Sequence, residues 1–278
     1  MVFVKADTLY TTGGEEGRQM LIDSGPDNIR VQGYRIHSRY LKDYYISQTE
    51  VTNQLWENVM GEKSFSAASG RDKPVRLASY WEVQNFLQRL NEITGRHYRL
   101  PWEAEWEFAA RGGRMRKGYL YAGSDYLNEV ALHVDNSRLS DGMLSPQPVA
   151  SKKPNELKLY DMMGNVEEWC LDTTRLTMDE YVVRFGGGYQ LLWRSRRRRG
   201  GSYKSSPYSR LWHWLEYTIH GDSDGSRPYL NIVRLAYNTD SATQAQCMAT
   251  ILADAEEKIS QKESTRCGFR LALSVEEE

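Results

Sequence analysis

The chain has 278 residues, and its 36 lysines and arginines nearly balance its 37 aspartates and glutamates. This balance argues against general binding to nucleic acid or to membrane surfaces. No apolar run approaches the roughly 18 residues that a membrane helix needs, and the start of the chain lacks the pattern of a signal segment. We therefore expect a cytoplasmic protein, or a cell-surface or extracellular one from which a signal segment was removed.

Three cysteines, Cys170, Cys247 and Cys267, are too few and too odd in number for a disulfide framework. Two alternatives remain: one disulfide between Cys247 and Cys267, or free buried thiols. Hydrophobic residues make up 40% of the chain, enough for a sizeable core. The order of predicted elements favours a single α+β domain over residues 1–278 whose second half is rich in loops.

Strands come first. Residues 2–12 and 34–47 alternate between apolar and polar side chains, which is typical of β-strands. The polar run at 48–53 then offers capping residues before Leu55, Trp56 and Val59, which predicts a short amphipathic helix.

Two further helices follow. Ser79 is the predicted N-cap of the second, and Gly95 is expected to end it. Its predicted inner face comprises Trp81, Val83, Phe86, Leu87 and Leu90. The third is predicted to open at Pro101 and to stop at residues 112–113.

In that third helix, Trp106, Ala109 and Ala110 are expected to pack inward, while Glu103 and Glu107 stay in water. Just before this helix, Arg99 is positioned to form two parallel hydrogen bonds with one carboxylate.

The second half has weaker patterns. Residues 117–154 are irregular and need polar side chains or an ion to hold them. Short strands separated by glycines are expected after Tyr160. A weak helix is expected over 245–260, and a closing strand over 269–273.

The most unusual composition lies at 194–217, where arginine, tyrosine and tryptophan alternate with serine and glycine. These residue types are typical of recognition surfaces. The alternative is a basic surface strand beside a buried aromatic cluster, and Trp212 and Trp214 are the positions where that alternative is strongest, since they alternate like one face of a strand. The candidate ligand-binding residues are Tyr189, Trp193, Arg194, Arg196, Arg198, Tyr203, Ser205, Tyr208, Arg210, Trp212, His213, Trp214, Tyr217, His220 and Asp222.

Eight segments, in order, resemble the formylglycine-generating-enzyme family. They include Gly164-Asn165-Val166-Glu167-Glu168-Trp169 and Gly200-Gly201-Ser202-Tyr203. The others lie at 50–53, 98–101, 103–113, 153–156, 159–162 and 268–271. Trp102 departs from the family pattern, which typically has threonine there. The resemblance implies a C-type lectin fold of the formylglycine-generating-enzyme type.

In many members of that family calcium stabilises the fold. The resemblance transfers a calcium site to Asn165, Val166 and Glu168. The alternative for this segment is a structural turn held by a salt bridge, because a carboxylate at the core edge needs an arginine, amides or a cation.

The family's enzymes hold copper with two cysteines that follow the Gly-Gly-Ser-aromatic motif. No cysteine occurs between Lys204 and Leu215, so we expect no catalytic residues and no required cofactor. An iron-dependent branch of the fold needs a histidine triad, and the five histidines here do not offer one. A formylglycine-generating-type oxidase remains the alternative function.

Within this fold, the chain particularly resembles the variable proteins of diversity-generating retroelements, which display a randomised ligand site. We therefore expect a non-catalytic ligand-binding protein, a monomer, with a variable region over about 189–267. Its ligand is expected to be a protein or a glycan rather than nucleic acid. Two further hypotheses are a non-variable adhesin and an intracellular interaction domain.

Overall fold

The computed structural model describes residues 1–11, 37–64, 66–76, 80–177, 192–205 and 267–275. At 10–11, 37–38, 172–177 and 192–197 it describes the backbone alone. The predicted helix at 245–260 therefore lies outside the described residues, as does Ser79.

The largest sheet brings the two ends of the domain together. Its four strands are β1 (Val2–Val4), β4 (Tyr44–Ile46), β5 (Tyr98–Arg99) and β11 (Ala272–Ser274). They are antiparallel and lie in the order β1, β4, β11, β5. Tyr44 and Ile46 point into the core from β4 and are fully buried. A separate hairpin pairs β2 (Thr8–Thr11) with β3 (His37–Tyr40).

The three predicted helices are confirmed as α1 (Asn53–Met60), α2 (Tyr80–Thr94) and α3 (Glu103–Ala110). Thr52 caps α1, because its Oγ1 accepts the Leu55 amide at 3.1 Å. Gly95 follows the last turn of α2, as predicted.

Three details of these predictions were wrong. Trp81 is 62% exposed rather than inside, because it lies about 200° around α2 from the buried Val83. Glu107 is buried rather than wet, because two arginines pair with it. The closing strand at 269–273 is interrupted, since the backbones of Phe269 and Leu271 bond to Val51 and Ser47 instead of a sheet neighbour.

Polar side chains organise the irregular region, as predicted. The Asn136 carboxamide oxygen accepts the His133 amide at 2.8 Å, and Ser124 Oγ donates to Glu129 at 2.7 Å. The region also contains a short helix that the sequence did not reveal, α4 (Leu127–Val130), and β6 (Ala131–Leu132), which pairs in parallel with β7 (Met163–Gly164). Gly164 fits there because it lacks a side chain: a Cβ would approach the Leu132 oxygen to 1.9 Å.

A three-stranded sheet completes the fold. Its central strand, β8 (Glu167–Thr177), pairs antiparallel with β9 (Leu192–Arg199) and parallel with β10 (Cys267–Gly268). Trp106 and Trp169 are both buried, which confirms the predicted inward packing of Trp106. No helix in the described ranges is long and apolar enough to cross a membrane.

Candidate recognition surface and its anchor

The arginine run ends inside the protein. Arg198, near the end of β9, is 6% exposed and pairs with Glu167 across 2.8 Å. Its Nη1 also donates to the Cys267 sulfur at 3.1 Å, and its guanidinium lies 5.5 Å from the centre of the Trp169 ring. These contacts join β9, β8 and β10 through one buried cation.

Arg199 faces the opposite side of the strand, as the alternation of a β-strand requires. Its Nη2 lies 2.9 Å from a Glu103 oxygen and 3.1 Å from a Glu107 oxygen. Because Arg199 is 3% exposed, this pairing ties β9 firmly to helix α3.

The turn after β9 is fixed by backbone hydrogen bonds. The Gly164 amide donates to the Gly200 oxygen at 2.7 Å, and the Tyr203 amide donates to the Asn165 oxygen at 2.8 Å. Gly200 has a φ of 92°, and a Cβ there would lie 3.3 Å from the Trp106 ring. We call residues 198–205 the anchor, since both of its ends are held by the core. The distal segment, residues 206–266, leaves from it.

The predicted recognition residues fall into four groups. Arg198 and Tyr203 are buried, so the expectation that they are exposed was wrong. Ser205 is half-buried, and its carbonyl accepts the Val134 amide. Trp193, Arg194 and Arg196 lie in β9, where their backbones pair with Leu176, Arg175 and Thr173 of β8. Outside the described residues lie Tyr189, Tyr208, Arg210, Trp212, His213, Trp214, Tyr217, His220 and Asp222.

A fully buried ion pair joins Arg270 to Glu168, the neighbour of Glu167 in β8. Arg270 donates from Nε and Nη2 to the two oxygens of Glu168, both at 2.6 Å. The Trp106 indole donates to Glu168 Oε2 at 2.6 Å. Arg270 also donates to the carbonyls of Ser47 and Tyr160. Burial is the largest single effect and acts to lower the pKa of Arg270, but the charge and hydrogen bonds of Glu168, together with Glu50 and Asp161, outweigh it and the pKa is raised.

Two further carboxyl groups lie in the same interior. Glu50 accepts hydrogen bonds from the Asn165 side chain at 2.8 Å and from the Val166 amide at 3.1 Å. Burial, reinforced by Asp161 and Glu168, raises the pKa of Glu50 well above its usual value. Burial also raises the pKa of Asp161 to about 6, although the Ala150 amide donates to that carboxylate.

This geometry favours the salt-bridge alternative at the predicted calcium residues. Both oxygens of Glu168 are occupied by Arg270 and Trp106. The Asn165 carboxamide is also engaged, since its oxygen accepts the Gln147 amide and its nitrogen donates to Glu50. A cation shared with Val166 would have to displace Arg270, so the three residues do not fit calcium in this arrangement.

We expect Asp161→Asn to stabilise the protein at neutral pH. A carboxyl group whose pKa is raised by folding stabilises the folded state below its unfolded value near 4, and this contribution is lost as the pH rises through about 6. The free energy of unfolding of the variant should therefore match the wild type near pH 4 and exceed it by about 2–3 kcal/mol at pH 7.5. Urea denaturation across this range measures it. A constant difference at all pH values would contradict the raised pKa.

Sequence reasoning did not find Glu50, Asp161 or Arg270 as partners in one cluster. The signal was present at Arg270, because a charged residue flanked by Phe269 and Leu271 at a strand end needs a buried counter-charge. Nothing in the spacing indicated that the partner would be Glu168.

Comparison with known proteins places the chain in a family. Residues 5–215 match the model of the sulfatase-modifying factor enzyme 1-like domain. The chain therefore belongs to this family, whose fold it shares: mixed helix and strand, and rich in loops.

Among its curated relatives is the "Chaperone protein LppX" of Paenibacillus barcinonensis, 27% identical over 54% of this chain and 70% of the relative. The formylglycine-generating enzyme of Streptomyces coelicolor is 40% identical over 38% of this chain, which spans 36% of that enzyme. An inactive C-alpha-formylglycine-generating enzyme 2 of Mus musculus is 40% identical over 27% of this chain and 26% of the relative. The family thus contains enzymes and inactive members.

Two solved structures share the fold over nearly the whole chain. Variable protein 1 of Treponema denticola superposes with a TM-score of 0.60 at 19% identity, covering 99% of this chain and 95% of that one. CarF superposes with a TM-score of 0.57 at 20% identity, covering 99% of this chain and 98% of that one.

Proposed function

We propose that this protein is a non-catalytic ligand-binding member of its family, which presents the distal segment as a recognition surface. The observation that carries the proposal is the anchor. Ion pairs on both faces of β9, from Arg198 to Glu167 and from Arg199 to Glu103 and Glu107, fix the point where the segment begins. A fixed starting point lowers the ordering cost of binding for a segment built on it.

The composition of the distal segment supports a binding role. Between Ser206 and Tyr237 the chain carries four tyrosines, two tryptophans and three arginines. Aromatic rings supply large contact areas with little loss of rotamer entropy, and arginine presents a planar set of donors. The fold likeness to a variable protein is consistent with sequence variation at these positions between relatives.

The residues that follow the Gly200-Gly201-Ser202-Tyr203 motif argue against the oxidase alternative. A soft metal such as copper needs thiolates, and the residues from Lys204 to Leu215 include none. Cys170 and Cys267 are both fully buried, and the Cys267 sulfur contacts Arg198 in the interior.

We accordingly expect no conversion of a sulfatase-motif cysteine peptide to formylglycine, with or without added copper. Mass spectrometry of the peptide after incubation measures this, with an active formylglycine-generating enzyme as the positive control. Conversion that disappears on substituting Cys170, Cys247 or Cys267 would establish the oxidase instead.

We expect the distal segment to determine binding. Joint replacement of Tyr208, Arg210, His213 and Tyr217 by alanine removes aromatic and guanidinium contacts from the proposed surface without touching the anchor. The measurement is the binding profile of wild type and variant on arrays of proteins and glycans. The variant should lose the strongest signals of the wild type. An unchanged profile would place the ligand site elsewhere.

A further inference from the structure

Helix α2 carries an unusual outward face. Trp81, Gln84, Asn85, Gln88 and Asn91 recur at helical spacing along it, while Val83, Phe86, Leu87 and Leu90 fill the buried face. An exposed helix face in a soluble protein normally carries charges. This helix carries exposed charges at Arg89 and Glu92, but the part of it that faces β5 carries an indole and four carboxamides, and the indole is 62% exposed.

These side chains line a groove of about 400 Å³, whose other wall is formed by β5 and Leu171. Ligand sites in proteins commonly have volumes of roughly 300–1,000 Å³. Asn91 holds the two walls together, because its side chain exchanges hydrogen bonds with the Tyr98 backbone at 2.7 and 3.0 Å. The groove is thus built into the scaffold.

The groove is electrically neutral. Arg99 is the one formally charged residue among those that line it, and its charge is matched by Glu105, with two hydrogen bonds of 2.7 and 2.8 Å. Gln84 contributes a buried amide nitrogen, Nε2, that has no hydrogen-bond partner within the described ranges. A buried donor of this kind costs free energy until a ligand or water accepts from it.

We infer that this groove binds a neutral saccharide chain, with Trp81 packing against the apolar face of a sugar ring and the carboxamides bonding to its hydroxyls. A carboxamide offers both donors and an acceptor, which suits neighbouring hydroxyl groups that do the same. Asn91 already bonds to Tyr98 and Gln88 donates to Glu92, so Gln84 and Asn85 are the carboxamides that we assign to the sugar hydroxyls. A tryptophan ring supplies a large flat apolar contact. The lack of unmatched charge disfavours acidic or phosphorylated ligands. This inference does not rest on the function proposed for the distal segment.

The test is titration of the protein with cellohexaose, chitohexaose and mannohexaose, followed by tryptophan fluorescence and by amide chemical shifts. At least one probe should bind at millimolar concentration or below. Trp81→Ala should weaken that binding at least about tenfold, the scale of losing an aromatic anchor, and Gln84→Ala should weaken it several-fold. Trp102→Ala is the matched control, because Trp102 is also exposed but lies outside the groove, and it should leave binding unchanged.

Three results would overturn the inference. The first is that none of the three probes binds to the folded protein at millimolar concentration. The second is that binding survives Trp81→Ala, and the third is that Trp81 is required instead for binding a library of neutral peptides. Because Trp81 is mostly exposed, the melting temperature of Trp81→Ala should equal that of the wild type, which separates lost binding from lost folding.

Discussion

Replacing Arg270 with alanine is expected to lower the free energy of unfolding by about 3–5 kcal/mol, the range for breaking a buried ion pair from one side. The substitution leaves the Glu168 charge in the interior with the Trp106 indole as its remaining hydrogen-bond donor. It also removes the donors to the carbonyls of Ser47 and Tyr160. Urea denaturation at pH 7 measures the change.

Two variants make this result specific. Arg114→Ala breaks an exposed pair with Asp7 and should change stability little, since such pairs contribute little. The double variant Arg270→Met with Glu168→Gln removes both charges while keeping an acceptor for Trp106, and it should recover much of the loss. A double variant no more stable than Arg270→Ala would show that packing around the guanidinium, rather than the stranded charge, sets the cost.

Trp169→Ala is expected to cost about 3–5 kcal/mol, the range for deleting a large aromatic side chain from a core. The ring is 3% exposed and lies edge-on to Tyr80 at 6.0 Å, while Arg198 covers it at 5.5 Å. Its loss therefore weakens both the apolar core beneath α2 and the anchor.

Thermal and urea unfolding of Trp169→Ala should be compared with Trp102→Ala, since Trp102 is 38% exposed and is not among the buried core residues. A Trp169→Ala protein with the melting temperature of the wild type would mean that the core is placed wrongly.

Local patterns predicted the helices well. Helices α1 and α2 each bury one stripe of apolar residues, whereas α3 is buried on nearly all sides and was predicted from Pro101 and the glycines at 112–113. The periodicity of Val83, Phe86, Leu87 and Leu90 placed α2, but Trp81 was wrongly assigned to the same face, although two positions correspond to about 200° around a helix. The short helix Leu127–Val130 was not predicted, because four residues are too few to show a helical period.

The candidate site was harder to predict because it depends on contacts between distant residues. Glu107 pairs with Arg199 across 92 positions, and Glu168 with Arg270 across 102. Sequence composition identified an arginine-rich run but did not show that Arg198 and Arg199 are buried. These two residues face opposite sides of β9, and each meets a carboxylate that another element supplies.

The central claim is that the anchor belongs to the folded scaffold and that the distal segment does not. The free energy of unfolding tests this claim most directly. The four-residue variant of Tyr208, Arg210, His213 and Tyr217 should lie within about 1 kcal/mol of the wild type, as exposed substitutions do. Arg199→Ala should lose about 3 kcal/mol, the lower end of the range for breaking a buried ion pair from one side, because it removes the buried cation that Glu103 and Glu107 share and leaves Arg111 paired with Glu107. A four-residue variant that unfolds as readily as Arg199→Ala would contradict the account, since the distal segment would then belong to the scaffold.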